Sequence, residues 1–152
     1  MKLTNFRLCS AHIDNVQVFQ VKKTYSYTYL FFIGFLCLDW VLFGSMHFIF
    51  RHATIAQIPE YIPLKNLIVT VTGIIEIAIG ILILLPQTRH LAALTSLALL
   101  ALFIPAVYHI LTSESALLGS STIQAIFRNF IIPHNLLLAV GSIYLMRSGL
   151  TD

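Results

Sequence analysis

The chain contains four apolar runs, each about 20 residues long, separated by prolines and charged residues. An α-helix needs roughly 20 residues to cross ~30 Å of hydrocarbon, so each run is long enough to span a bilayer. The runs cover about 27–50, 66–85, 90–111 and 128–146. None shows the period-two alternation of a membrane barrel strand. A helix pairs its backbone groups within one segment, which lipid requires. The expected fold is therefore all-α: a membrane-embedded antiparallel four-helix bundle over 27–147, with a polar N-terminal tail at 1–26 and a C-terminal tail at 148–152.

Composition agrees with lipid as the solvent. Hydrophobic residues make up 58% of the chain and charged residues 10%, against roughly 25% charged in a soluble domain. The 152 residues suffice for one domain. The net charge of +3 comes from Lys and Arg near the ends of the apolar runs. No basic cluster is dense enough for nucleic acid, so that partner is excluded and the bilayer is the expected one. Residues 1–23 include Asp14, Asn15, Gln17 and Gln20 and no long apolar stretch, unlike a cleaved signal peptide. The first span is expected to act as an uncleaved anchor. VQVFQV at 16–21 alternates weakly, as a strand or interfacial segment would. Cys9 and Cys37 form no CxxC and read as structural thiols.

The breaks between runs set the topology. Pro59 and Pro63 flank Glu60, Tyr61 and Ile62, which predicts an interfacial loop over 51–65 with Tyr61 at headgroup level. The turn Pro86–Arg89 makes spans two and three antiparallel neighbours. Residues 112–121 are rich in Ser and Thr, hold Glu114 and Gly119, and read as a loop. Pro105 and Pro133 are expected to kink spans three and four. With both termini inside, the inner side holds Lys2, Arg7, Lys22, Lys23, Arg89 and Arg147, and the outer side Arg51, Lys65 and Arg128. That excess favours cytoplasmic termini, in a bacterial inner membrane given the absence of a targeting segment.

Two carboxyls interrupt the apolar runs, Asp39 in the first and Glu76 in the second. A charge at the bilayer centre costs about 2.5–3.5 kcal/mol on insertion scales, so each must be neutralised or paired. Gly73, Glu76 and Gly80 share one helical stripe, where small residues let another helix approach. Ala98, Ala101, Pro105 and His109 suggest a similar stripe in span three, and His134 shares a face with Gly141 in span four. By depth, His47, His109 and His134 fall toward the outer side and the two carboxyls near the midplane. The expected site is a polar cleft open outward, with Asp39, His47, Glu76, His109 and His134 as candidate ligand-binding residues.

Several chemistries fit that set. A carboxyl–histidine chain relays protons. A quinone headgroup needs a donor and an acceptor beside an apolar channel. His47 and His109 at similar depth could ligate haem, and three histidines a transition metal, although no spacing here is specific to either and no metal ligand is assigned. The bland alternative is that the polar groups only hold helices together. His52 and His90 fall at membrane borders, and Trp40 reads as packing.

From the first span onward the chain resembles the DoxX-like family of small membrane proteins. The matching stretches are GSMHF at 44–48, IPEYIP at 58–63, TGIIEIAIGILILLPQTRHLAA at 72–93 and FIPAVYH at 103–109. Their order matches the family's: a His closing the first span, a Pro-rich loop, then a Gly-x-x-Glu span ending before Arg. The likeness covers about 28–147 and leaves out 1–26. It implies a four-helix membrane bundle in which His47, Glu76 and Arg89 occupy recurring polar positions. It also implies an association with quinone-linked oxidation as a small subunit of a larger membrane assembly, with no catalytic role assigned to any residue. Binding or transport of a small lipophilic molecule or proton, and a purely structural or assembly role, stay open beside it.

Overall fold

No proline occurs before Pro59, so the first helix, α1, runs unbroken through its aromatic-rich segment from Tyr27 to Ile49. The computed structural model describes residues 26–113 and 121–148, with the backbone alone for 121–123. Most of both expected tails, including Cys9 and VQVFQV, and most of the 112–121 loop lie outside the described residues. All regular structure in the described residues is helical.

Phe50 breaks α1 with φ −111° and ψ 43°. A short helix, α2, follows at Arg51–Ala56. This corrects the expected 51–65 loop, because RHATIA holds no proline and can still close helical hydrogen bonds before Pro59 intervenes. Helix α3 spans Lys65–Leu84. It starts after Leu64, which adopts left-handed φ 56° and whose carbonyl accepts from the Leu67 N–H at 2.8 Å. After the turn come α4 at Arg89–Leu102 and α5 at Ile104–Thr112, bent by 40° at their junction. Pro105 accounts for the bend, since it has no N–H to give the Ala101 carbonyl. Helix α6 spans Ser121–Ser148 and runs through Pro133. It starts seven residues before the expected boundary, since the polar Ser121–Phe127 stretch carries no helix breaker.

Three helices are each long and apolar enough to cross a membrane: α1, α3 and the 124–148 portion of α6. The bent pair α4–α5 makes a fourth candidate if taken as one span. Their outward faces carry large apolar side chains such as Phe31, Leu38, Leu67, Ile74, Leu91, Ile104 and Leu136, all at least half exposed. An apolar exterior on this scale is compatible with an integral membrane protein.

The helices contact one another in a ring, α1 on α3, α3 on α4, α4 on α6 and α6 on α1. The α1–α3 contact is the closest. A Cβ at Gly44 would lie 2.8 Å from the Gly73 carbonyl oxygen, and one at Gly80 2.9 Å from that of Cys37. Residue numbers fall along α1 as they rise along α3, so the pair is antiparallel. The same holds for α1 and α6, where Gly141 meets Phe32 and Tyr144 meets Tyr29. The stripe read from Gly73, Glu76 and Gly80 is thus the face against α1. The stripe expected in span three is corrected. Ala98, Ala101 and Pro105 are exposed, and Ala92, Ala93, Ser96 and Leu99 face inward. The error was phase: both sets have helical spacing, and alanine alone does not mark the buried one.

Candidate functional site

The interior of the ring is apolar except at a few points. Leu36, Trp40, Ile79, Ile83, Leu138 and Leu145 form its buried core. Four side chains near them bring in chemistry, and they meet as two pairs.

The first pair joins α1 to α6. His134 Nε2 lies 2.9 Å from Asp39 Oδ1, with 9% and 10% of their side-chain surfaces exposed. The imidazole is flanked by Phe43, at 4.8 Å between ring centroids, and by Phe130, at 5.3 Å. Asp39 Oδ2 is buried without a hydrogen-bond partner among the described residues. The second pair joins α1 to α3. His47 Nδ1 lies 3.3 Å from Glu76 Oε2, with 15% and 2% of their side chains exposed. Nδ1 also lies 3.0 Å from the Phe43 carbonyl oxygen. A carbonyl oxygen only accepts, so Nδ1 carries the hydrogen and donates it there. The contact with Glu76 is therefore electrostatic, and Oε2 is left without a hydrogen bond.

The two pairs belong to one neighbourhood. Glu76 sits beside Gly44, and Gly44 is five residues from Asp39. At 1.5 Å per residue, the two carboxyls differ in depth by about 7.5 Å. Trp40 Nε1, also buried, has no partner among the described residues. Two carboxylate oxygens and one indole N–H thus lie in the interior with unused hydrogen-bonding capacity, an arrangement that is costly unless water, a proton or a ligand meets it.

Four of the five residues singled out from the sequence are brought together, and one is not. His109 lies half-buried on α5 and bonds to no member of either pair. The neighbouring Ile110, packed on Phe127 and Ile131, is what anchors α5. His134 is corrected in depth. With α6 beginning at Ser121, His134 falls at the middle of the helix and level with Asp39, not at the mouth of a cleft. The open cleft itself gives way to side chains enclosed in helix contacts. His47 and His109 do not pair as haem ligands would. Among the described residues no three His, Cys, Asp or Glu side chains are grouped to hold a metal ion.

Arg89 was read as an inner-side charge and as a recurring polar position of the resemblance, with no partner assigned, and the structure buries it at 8% exposure. Its Nε donates to the Ile83 carbonyl at 2.7 Å, one terminal nitrogen to the Leu84 carbonyl at 2.9 Å, and the other to the Tyr29 hydroxyl at 2.9 Å. It therefore closes the C-terminus of α3, where free carbonyls and the helix dipole favour a cation. Thr88 Oγ1 donates to the Leu82 carbonyl at 2.8 Å and completes the cap. The sequence offered only an arginine just beyond a helix end with no acidic residue near it, a pattern that a solvated flank arginine shares. Ser96 and Ser142, both fully buried, hydrogen-bond at 2.8 Å between α4 and α6. At the opposite end, Arg128 donates to the Ser113 carbonyl at 2.8 Å.

Fold and site together define an all-helical protein with three or four candidate membrane-spanning helices and two enclosed carboxyl–imidazole pairs. Residues 36–144 match the family model described as a domain of unknown function, DUF8561, and the chain belongs to that family. No curated protein and no solved structure matches the chain.

Proposed function

We propose that this is a DoxX-like integral membrane protein whose two carboxyl–imidazole pairs bind a small lipophilic molecule and exchange protons with it, a quinone being the class of choice. The observation that carries the reading is the interior set of unused polar atoms, Asp39 Oδ2, Trp40 Nε1 and Glu76 Oε2, beside two histidines. A membrane that only needed its helices tied together would not require carboxyls with free oxygens, since each one raises the cost of insertion. The motif order from GSMHF to FIPAVYH supports the DoxX-like reading, and two of its recurring positions, His47 and Glu76, face each other.

In this reading α1, α3, the bent α4–α5 pair and α6 are the four spans of an antiparallel bundle in a bacterial inner membrane. Both termini are cytoplasmic, as the Lys and Arg distribution favours. The protein acts as a subunit of a larger quinone-linked redox assembly. Extraction of the detergent-purified protein, followed by mass spectrometry and an absorption spectrum, tests this. Quinone should copurify with the native chain and fall away when both carboxyls are replaced together, Asp39→Asn with Glu76→Gln. If no quinone is recovered from the native chain, and the double substitution leaves membrane redox activity unchanged, the proposal is wrong.

A second reading is an assembly subunit in which the pairs are interhelical fasteners. The near-contact of Gly44 and Gly73, which encloses Glu76 and His47 between backbones, favours it. Normal function after replacement of all four paired residues would select it.

A further inference from the structure

We infer that the lipophilic molecule enters sideways from the bilayer between α1 and α6 and binds through a carbonyl oxygen to Nδ1 of His134. The inference rests on the membrane-embedded, ligand-binding reading above and adds the place, the route and the polarity of the contact.

The polarity follows from proton counting. A net charge in mid-bilayer costs about 2.5–3.5 kcal/mol, so the Asp39–His134 pair is held net neutral with one shared proton. If that proton sits on Oδ1, Nε2 accepts it and the neutral ring carries its own hydrogen on Nδ1. If the proton sits on Nε2, the ring is an imidazolium and Nδ1 again carries hydrogen. A proton on Oδ2, with Nε2 donating to Oδ1, would also be neutral, but Oδ2 has no partner among the described residues and its O–H would be buried unbonded. The two remaining arrangements both make Nδ1 a donor. It has no partner among the described residues, although 9% of the side chain remains exposed. A nine-tenths-buried ring with an unused donor calls for an acceptor, and in hydrocarbon the acceptor must arrive on an apolar molecule.

The route follows from what flanks the ring. Phe43 and Phe130 contact His134 on α1 and α6, and they are 37% and 56% exposed. They are outward-facing rings next to an inward-facing polar group. A planar compound dissolved in lipid can slide along them, offset-stacked, until its carbonyl meets Nδ1. The lipids' own ester carbonyls do not reach. His134 is level with Asp39, which is ten residues, or about 15 Å, from the nearer end of α1. The other pair offers no spare donor: Glu76 is 2% exposed and walled by Gly44 and Gly73, and His47, although 15% exposed, already gives its Nδ1 hydrogen to the Phe43 carbonyl.

The test uses the full chain in lipid nanodiscs with 9-fluorenone as probe, fluorene as the same ring system without oxygen, and empty nanodiscs for partitioning. Saturable fluorenone binding is expected, with its infrared carbonyl band shifted down by the hydrogen bond, and no saturable fluorene binding. His134→Phe should weaken fluorenone binding about tenfold, the worth of one hydrogen bond to a buried, partly charged donor, and abolish the band shift. Phe130→Ala, at an exposed position that does not endanger folding, should weaken binding while keeping the shift. The emission of Trp40, the chain's one tryptophan, checks that the core is intact. Binding and band shift that survive His134→Phe but vanish in Glu76→Gln would move the site to the other pair and overturn this inference alone. No saturable binding in the native chain would overturn it together with the lipophile-binding function.

Discussion

Replacing Gly44 by alanine is the smallest change that should force α1 and α3 apart. Its Cβ would stand 2.8 Å from the Gly73 carbonyl oxygen and 2.9 Å from Glu76 Cβ, where ordinary contact begins at 3.4 Å. Both obstacles are fixed to the α3 backbone, so no side-chain rotation relieves them. The helices must separate by about 0.6 Å or the local turn must distort, and overpacking of this kind costs about 1–3 kcal/mol. Gly34 on the same helix is the matched control, since a Cβ there meets nothing within 4 Å. Alanine also improves helix propensity by about 1 kcal/mol over glycine, and this term is common to both sites. The difference between Gly44→Ala and Gly34→Ala therefore isolates the clash, and it should fall at about 1–3 kcal/mol. Reversible unfolding in mixed detergent micelles, followed by circular dichroism, reads it. Gly34→Ala should be neutral or slightly stabilising. Equal stability changes at the two positions would refute the close α1–α3 contact on which the enclosure of Glu76 depends.

Arg89→Ala should destabilise the fold by about 2–4 kcal/mol, because it strands two helix-end carbonyls and removes a donor to the Tyr29 hydroxyl; Arg89→Lys should recover only part of this, and Tyr29→Phe alone should cost about 1 kcal/mol, all by the same unfolding measurement. For the Ser96–Ser142 bond, either alanine substitution alone should cost about 0.6 kcal/mol and the double substitution little more, since the second removes a group already orphaned; a double-mutant cycle with fully additive losses would show that the hydroxyls do not interact.

The extent of the helices was legible because lipid writes it into hydropathy. The Lys65–Leu84 helix was bounded to within a residue at each end, and Pro105 marked the bend in the third run. Glycine spacing around Glu76 gave the correct face of α3, because a close helix contact admits few other residues. What pairs with what was not legible. Asp39 and His134 are 95 positions apart, and their meeting depends on the rotation of α6 about its axis, to which the lone clue was Gly141 two turns beyond His134. Span three misled for the same reason, since alanines on the lipid side and on the core side look alike in hydropathy. Arg89 was hidden by a different effect. Positive residues near membrane edges usually stay solvated, and nothing in hydropathy separates a solvated arginine from one folded back to cap α3.

Phe43 has no ionisable group, yet it touches both pairs. Its carbonyl holds the His47 ring and its own ring packs against His134. The two sites therefore share a hinge pin on one turn of α1. Whatever displaces that turn, an arriving ligand included, reorients one histidine toward Asp39 and the other toward Glu76 in a single movement. Occupancy at one pair should consequently be sensed at the other even though no hydrogen bond joins them.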